Sequence, residues 1–125
     1  MTRFKSSSII ESLSNAVRGL KLALFSQRNF KIEVCVAVIV LIFSLLLKFS
    51  LTDICIIILT VAMVLICEML NSIIEFTLDA TYKNTYSKLV EMAKDMSAGM
   101  VLLSAIISVI VGVVLFGKYL ISYFV

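Results

Sequence analysis

The residues best suited to chemistry in this sequence lie in one short segment that begins at Glu68. The polar members of the segment are Glu68, Asn71, Ser72, Glu75 and Asp79. They follow the spacing i, i+3, i+4, i+7 and i+11, which stacks side chains on one face of a helix. Carboxylate and amide oxygens on one face suit Mg²⁺, which takes one or two carboxylates together with substrate phosphates. Any chemistry here must use carboxylates, lysine, serine, threonine or tyrosine, because the sequence contains no histidine.

A second polar cluster, Lys94 and Asp95, precedes a long apolar run. The Lys94 ammonium offers a positive charge to phosphate oxygens. Asp95 has two interpretations: it caps the helix that follows, or it orients a residue of the first cluster. The first cluster also has a simpler interpretation, in which Glu75 and Asp79 form a solvated helix end and the two neutral residues hold neighbouring helices together.

The unusual composition of the chain indicates what kind of helices hold these clusters. Hydrophobic residues make up 62% of the 125 residues and charged residues 15%, against roughly 45–50% and about 25% in soluble domains. A chain this short has too little interior to bury that much apolar surface, so the excess must face lipid or a very large oligomer interface. Long apolar runs favour lipid. The apolar residues are collected in three runs without charge, at 34–47, 54–67 and 97–117.

The lengths of these runs determine where the carboxylates lie. The third run is long enough to span a membrane, which needs about 20 helical residues. The first reaches that length if it continues past Lys48 to Phe49 and Leu51. The second is blocked at its start by Asp53, so it must continue through Glu68, which brings carboxylates to the membrane boundary.

We therefore predict a single all-α integral membrane domain. Its predicted parts are an amphipathic surface helix over 6–28, spans over 32–50, 53–79 and 95–120, and a cytoplasmic link over 80–93. Ser8 and Glu11 fit a capping box at the start of the first helix. Its apolar side chains share one face, which favours a position in the headgroup plane, with packing against its own bundle as the alternative; they are Ile9, Ile10, Leu13, Val17, Leu20 and Leu24.

The distribution of charge gives an orientation and excludes some functions. Most Lys and Arg residues lie in the amino-terminal segment and the 80–93 link, and the positive-inside rule then places both in the cytoplasm. The basic residues form no nucleic-acid face, and no signal-peptide layout is present. The three cysteines lie in or beside apolar runs and are interpreted as small hydrophobic residues.

The two polar clusters resemble the signature of the prokaryotic diacylglycerol kinases, a family that includes the undecaprenol kinases. The resemblance covers nearly the whole chain and rests on Glu68-x-x-Asn71-Ser72-x-Ile74-Glu75-x-x-x-Asp79 and Ala93-Lys94-Asp95-Met96-Ser97-Ala98-Gly99. The stretches Asn15-Ala16-Val17-Arg18-Gly19-Leu20 and Arg28-Asn29-Phe30-Lys31-Ile32 are similar to the family's surface helix and its entry into the first span.

The resemblance implies a homotrimer in the bacterial cytoplasmic membrane that phosphorylates diacylglycerol or undecaprenol, with ATP as donor and Mg²⁺ as cofactor. It implies that Glu68 acts as general base and that Glu75 and Gln27 bind the metal. The implied nucleotide contacts are Asn15, Glu75, Tyr86, Lys94 and Asp95. The implied supporting residues are Glu33, Asn71, Ser72 and Asp79.

The sequence also departs from the family pattern, which motivates an alternative function. Gln27 stands where the family usually has a second metal-binding glutamate. Thr85, Tyr86 and Ser87 stand where an acidic residue, an aromatic and a histidine are common. The alternative is a catalytically impaired member that acts as a membrane scaffold or binds lipid. A third possibility, an ion-translocating proteolipid subunit, fits less well because these carboxylates lie at one end of a span.

The lipid substrate is left open between two branches of the family. Arg28-Asn29-Phe30 resembles the undecaprenol branch, whereas Leu70-Asn71-Ser72 and Lys94-Asp95-Met96 resemble the diacylglycerol branch.

Overall fold

A computed structural model describes residues 8–83 and 87–125, and all of the regular structure in these residues is helical. The helices in chain order are α1 (Ile9–Ser26), α2 (Arg28–Leu46), α3 (Leu51–Tyr82) and α4 (Lys88–Phe124). The last three are long and apolar enough to cross a membrane. The predicted all-α class with three candidate spans is therefore confirmed.

Local signals in the sequence fix where these helices begin and end. The Ser8 hydroxyl accepts a hydrogen bond from the Glu11 amide at 3.1 Å, and the Ser50 hydroxyl accepts one from the Asp53 amide at 3.2 Å. Both serines thus satisfy amide groups that a first helical turn leaves without partners. Only Gln27, in an extended conformation, separates α1 from α2.

Helix α2 ends before the predicted end of the first span. Instead of continuing through Phe49 and Leu51, α2 stops at Leu46, and Lys48 adopts a positive φ of 60°. The physical reason is the burial of Phe49, which is 8% exposed and packs in a cluster with Ile57 and Leu115.

The link between α3 and α4 is also shorter than the predicted 80–93. Helix α3 continues to Tyr82, and α4 already begins at Lys88. The residues that join α4 are mainly good helix formers, since leucine, glutamate, methionine, alanine and lysine all rank high in helix propensity. Asp95 therefore lies inside α4 and does not cap it, because the N-cap position belongs to Ser87.

The helices pack most extensively as α3 against α4, then α2 against α3. Of the most apolar 18-residue window in each of α2, α3 and α4, only 17%, 17% and 11% is buried within the chain. Most of their apolar side chains therefore face outward, as expected for helices in lipid or in contact with other subunits. Helix α1 buries none of its residues, and its position in the headgroup plane stays a prediction.

Candidate active site

The polar stripe of α3 passes from a buried to an exposed environment along its length. Glu68 is 4% exposed and Ser72 is 7% exposed, whereas Glu75 and Asp79 are exposed. We call this the Glu68 end of the bundle, and the opposite end, which contains Asp53, the Asp53 end. The stripe therefore begins in the packed part of α3 and ends where α3 extends beyond the helices beside it.

The lengths of the helices explain this change in environment. The 32 residues of α3 measure about 48 Å, whereas the hydrocarbon core of a bilayer is about 30 Å thick. From Asp53, Glu68 lies about 22 Å along the axis and Glu75 about 33 Å. With one membrane boundary at Asp53, Glu68 falls inside the hydrocarbon layer and Glu75 falls just outside it.

Helix α4 contacts the stripe through one serine and one lysine. The Ser97 hydroxyl donates to the Asn71 side-chain oxygen at 2.7 Å, and the Asn71 amide nitrogen lies 3.5 Å from a Glu75 carboxylate oxygen. The Lys94 ammonium donates to the Asp79 carboxylate, also at 2.7 Å. The two clusters predicted from the sequence are therefore in direct contact.

The joint between α1 and α2 contacts the same stripe from another side. The Ser72 hydroxyl donates to the Gln27 side-chain oxygen at 3.3 Å, and the Gln27 amide nitrogen lies 3.4 Å from the Ser26 hydroxyl. Ser72 lies four residues after Glu68 and three before Glu75, so the Gln27 amide is held between two carboxylates of one helix face.

Glu33 on α2 adds a further carboxylate to the buried part of the site. It lies close enough to Glu68 for the two side chains to repel each other when both are charged. Its Oε2 atom is buried and has no hydrogen-bond partner among the described residues. A buried carboxylate oxygen without a partner is costly, so the site is incomplete without a bound proton, cation or ligand.

A cavity of about 390 Å³ lies between α2, α3 and α4, and Glu33 is the only charged residue among those that line it. Thr60 and Ser108 also line it, but their hydroxyls donate to backbone carbonyls of their own helices at 2.7 and 2.8 Å. The rest of the lining is apolar, with Val64 and Phe116 as examples. The cavity therefore suits a hydrocarbon chain, with a carboxylate on its wall.

Comparison with known protein families now adds to this geometry. Residues 14–116 match the family model described as prokaryotic diacylglycerol kinase. The chain belongs to the prokaryotic diacylglycerol kinase family. The match covers most of the 125 residues, and it includes α2, α3 and most of α4. A search of curated proteins found no match.

In this diacylglycerol kinase family member, the structure brings together most of the predicted site residues. Glu33, Glu68 and the other residues of the stripe join Gln27 and Lys94 at one end of the bundle, through the contacts above. Asp95 is exposed on α4, and Asn15 lies on the exposed α1. Tyr86 falls outside the described residues. The roles assigned to all of these residues stay predictions.

The family member offers a donor set that fits Mg²⁺ bound together with a nucleotide. Within residues 8–83 and 87–125 no group of three or more His, Cys, Asp or Glu side chains is arranged to hold a metal ion. Mg²⁺ does not require such a cage, because it keeps waters and substrate phosphates among its ligands. Glu75 supplies a carboxylate, and Gln27 supplies an amide oxygen that has a second lone pair beyond the one used by Ser72.

One residue of the site was not singled out from the sequence. Ser97 was part of the motif that carried the resemblance, but no role was assigned to it. It is 4% exposed and makes the contact from α4 to Asn71. The available signal was its position three residues after Lys94, which places both side chains on the same side of α4.

Proposed function

We propose that this chain transfers the γ-phosphate of ATP to the hydroxyl group of a membrane lipid alcohol at the Glu68 end of the bundle. The observation that carries the proposal is the position of Glu68, buried beside Glu33 near a hydrocarbon-lined cavity. Family membership supports a lipid kinase. The proposal adds the reaction geometry, the donor and the residue roles.

Glu68 accepts the proton from the lipid hydroxyl as the hydroxyl oxygen attacks the γ-phosphorus of ATP. The bond from that phosphorus to the bridging oxygen breaks, and ADP leaves. A carboxylate in this role must be close to the hydroxyl and sheltered from bulk water. Glu68 meets the second condition, being 4% exposed with no ion pair or hydrogen bond to any described residue.

The phosphate side of the reaction belongs to the exposed part of the stripe. Glu75 and Gln27 would hold Mg²⁺ together with the nucleotide, and Lys94 would bind the phosphates. When bound, Mg²⁺ neutralises charge on the phosphate oxygens. Most of the rate enhancement comes from position and electrostatics, as in other phosphoryl transfers.

The lipid side supports either of two substrates, diacylglycerol or undecaprenol. In both, the hydroxyl must stay at the membrane boundary while a hydrocarbon chain extends into the bilayer. The cavity of about 390 Å³ provides an apolar path beside Glu33. We propose that the chain works as a homotrimer in the bacterial cytoplasmic membrane, with its amino terminus in the cytoplasm. The outward apolar faces of α2, α3 and α4 and the distribution of Lys and Arg support this arrangement.

A second candidate function, a catalytically impaired scaffold, is favoured by one specific observation. The Gln27 side chain lacks a negative charge, and its oxygen already accepts a hydrogen bond from Ser72. In a scaffold this contact would serve only to join the α1–α2 joint to α3.

Purified full-length protein in lipid bicelles tests the two candidates. It is incubated with MgATP and either diacylglycerol or undecaprenol, and phosphorylated lipid is measured beside a reaction that contains EDTA. The kinase proposal expects Mg²⁺-dependent product from one lipid in clear excess over the other. Absence of product from both lipids would overturn it, and a lack of MgATP protection against thermal unfolding would then favour the scaffold.

A further inference from the structure

The most buried contact between α4 and the polar stripe is made by a serine that has no direct role in the proposed reaction. Ser97 is 4% exposed, and its hydroxyl donates to the Asn71 oxygen at 2.7 Å. The other two buried serines of α2 and α4 for which a contact is known bond to their own helices. Ser44 donates to the Leu41 carbonyl and Ser104 to the Val101 carbonyl. Among the buried serines in the described part of α4, Ser97 is thus the one whose hydroxyl bonds to another helix.

This contact helps to hold the Asn71 amide in place between α3 and α4. A side-chain amide has an acceptor oxygen and a donor nitrogen, and a rotation of 180° exchanges them. The Glu75 carboxylate only accepts hydrogen bonds, so it favours the Asn71 nitrogen on its side, 3.5 Å away, and the Ser97 hydroxyl donates to the amide oxygen. With the amide reversed, its oxygen would face the carboxylate, and two acceptors would repel each other.

We infer that Ser97 is a positioning residue for the cation site, acting through Asn71 on Glu75. One oxygen of Glu75 is turned toward the Asn71 amide, which leaves the other oxygen for a divalent cation. This arrangement matters more here than it would beside two acidic ligands, because Gln27 brings no charge to the site. The inference deepens the proposed function and rests on it for the identity of the cation site.

The test compares Ser97→Ala with a matched control, Ser104→Ala. Ser104 lies seven residues further on the same face of α4, is 3% exposed, and bonds only within its helix. Both variants remove one buried hydroxyl of the same size. Two quantities are measured in full-length protein: the Mg²⁺ concentration that gives half-maximal lipid phosphorylation, and the rise in unfolding temperature that Mg²⁺ causes.

Loss of the Ser97 hydroxyl is expected to raise the required Mg²⁺ concentration about threefold to tenfold, the value of one hydrogen bond. The Mg²⁺-induced rise in unfolding temperature falls in parallel. The KM for lipid and the turnover at saturating Mg²⁺ stay close to those of Ser104→Ala. A role in packing alone would instead lower the unfolding temperature without Mg²⁺ and leave the Mg²⁺ dependence unchanged, and that result would overturn the inference.

A double variant tests whether Ser97 acts through Asn71. In an Asn71→Ala background, Ser97→Ala should cause no further loss of Mg²⁺-induced protection, because the intermediate residue is gone. Full additivity of the two losses would also overturn the inference. If the wild-type protein phosphorylates neither lipid but keeps a Mg²⁺ protection that Ser97→Ala reduces, the kinase proposal fails and the positioning role stands. If Mg²⁺ affects neither measurement in the wild-type protein, the positioning role fails as well.

Discussion

The two ends of the α3–α4 pair both contain a buried carboxylate, but the two carboxylates differ in their hydrogen-bond and ion-pair partners. At the Asp53 end, one oxygen of Asp53 accepts hydrogen bonds from the Tyr119 hydroxyl at 2.7 Å and the Lys118 ammonium at 3.0 Å. At the Glu68 end, Glu68 has neither an ion pair nor a hydrogen bond to any described residue, and Glu33 repels it.

The surroundings of each carboxylate extend this difference. The Tyr119 hydroxyl also accepts from the Ser50 amide at 2.8 Å, and its ring stacks on Phe49 with centroids 4.1 Å apart. A buried carboxylate whose hydrogen-bond and ion-pair partners belong to the same chain is stable without a bound cation or ligand. A buried carboxylate without them is stable only when a proton, cation or substrate completes it. This difference supports a stabilising role for the Asp53 end and the proposed chemistry at the Glu68 end.

The largest expected effect separates the two ends directly. Glu68→Gln keeps the shape of the side chain but removes the base, so turnover should fall about 10²–10⁴-fold. Its unfolding temperature should stay level or rise, because one of two repelling carboxylates is gone. Lipid phosphorylation and thermal unfolding are measured on the same preparation.

Asp53→Asn serves as the matched control for this prediction. It should lower the unfolding temperature, because Asp53 loses its charged contact with Lys118, while folded protein keeps its turnover. The division between the ends would be wrong if Asp53→Asn abolished turnover in folded protein and Glu68→Gln did not.

The second prediction sharpens the assignment of Gln27. Gln27→Glu adds a negative charge next to Ser72, three residues before Glu75 on α3, and keeps an acceptor for Ser72. The Mg²⁺ concentration for half-maximal turnover should fall about tenfold, because two unit charges near a protein surface attract each other by several kcal/mol before desolvation. A Mg²⁺ titration of both proteins measures it. An unchanged titration would place Gln27 outside the cation site and leave it as a link between the α1–α2 joint and α3.

A third prediction concerns the Asp53 end alone. Tyr119→Phe keeps the ring stack on Phe49 but removes the hydroxyl that bonds Asp53 and Ser50, so the free energy of unfolding should fall by about 1–3 kcal/mol. Tyr123→Phe is the matched control, since its hydroxyl makes one exposed contact with the Leu47 carbonyl at 3.3 Å and its loss should change stability by less than about 0.5 kcal/mol. Denaturant unfolding in mixed micelles measures both. Equal losses in the two variants would show that the hydroxyl of Tyr119 contributes nothing specific.

The sequence predicted the Glu68 end better than the Asp53 end, for a physical reason. The stripe from Glu68 to Asp79 lies on one helix, so its shared face follows from helical geometry alone. The cluster of Asp53, Lys118 and Tyr119 joins residues far apart in the chain. Its formation depends on the turn at Lys48 and on the burial of Phe49, which no local pattern reveals.

The contact between Ser97 and Asn71 marks the limit of sequence reasoning within the site itself. Charge and periodicity placed the two clusters at one end of the bundle. The rotation of α4 about its axis was not determined, and a change of one residue turns a helix by about 100°. Packing with α3 sets that rotation, so the partner of Asn71 could be found only in the folded chain.

The smallest expected effect tests the ion pair between Lys94 and the polar stripe. Lys94 and Asp79 are paired at 2.7 Å, but their side chains are 40% and 52% exposed, so the pair is worth only about 0.2–1 kcal/mol. If Lys94 binds nucleotide phosphates, this pair competes with the nucleotide. Asp79→Asn should therefore lower the KM for ATP by about twofold to fivefold and leave the KM for lipid unchanged.

A titration of ATP in Asp79→Asn and in the Lys94→Gln/Asp79→Asn double variant measures this competition. In the Lys94→Gln background the Asp79 substitution should have no effect on the KM for ATP, because the competing cation is absent. A KM for ATP that rises in Asp79→Asn would show instead that Asp79 holds Lys94 in its binding position. Asp79 would then resemble Asp53, because its partner would be a residue of the same chain. The boundary between carboxylates that stabilise the fold and carboxylates that take part in the reaction would then lie within the stripe, between Glu75 and Asp79.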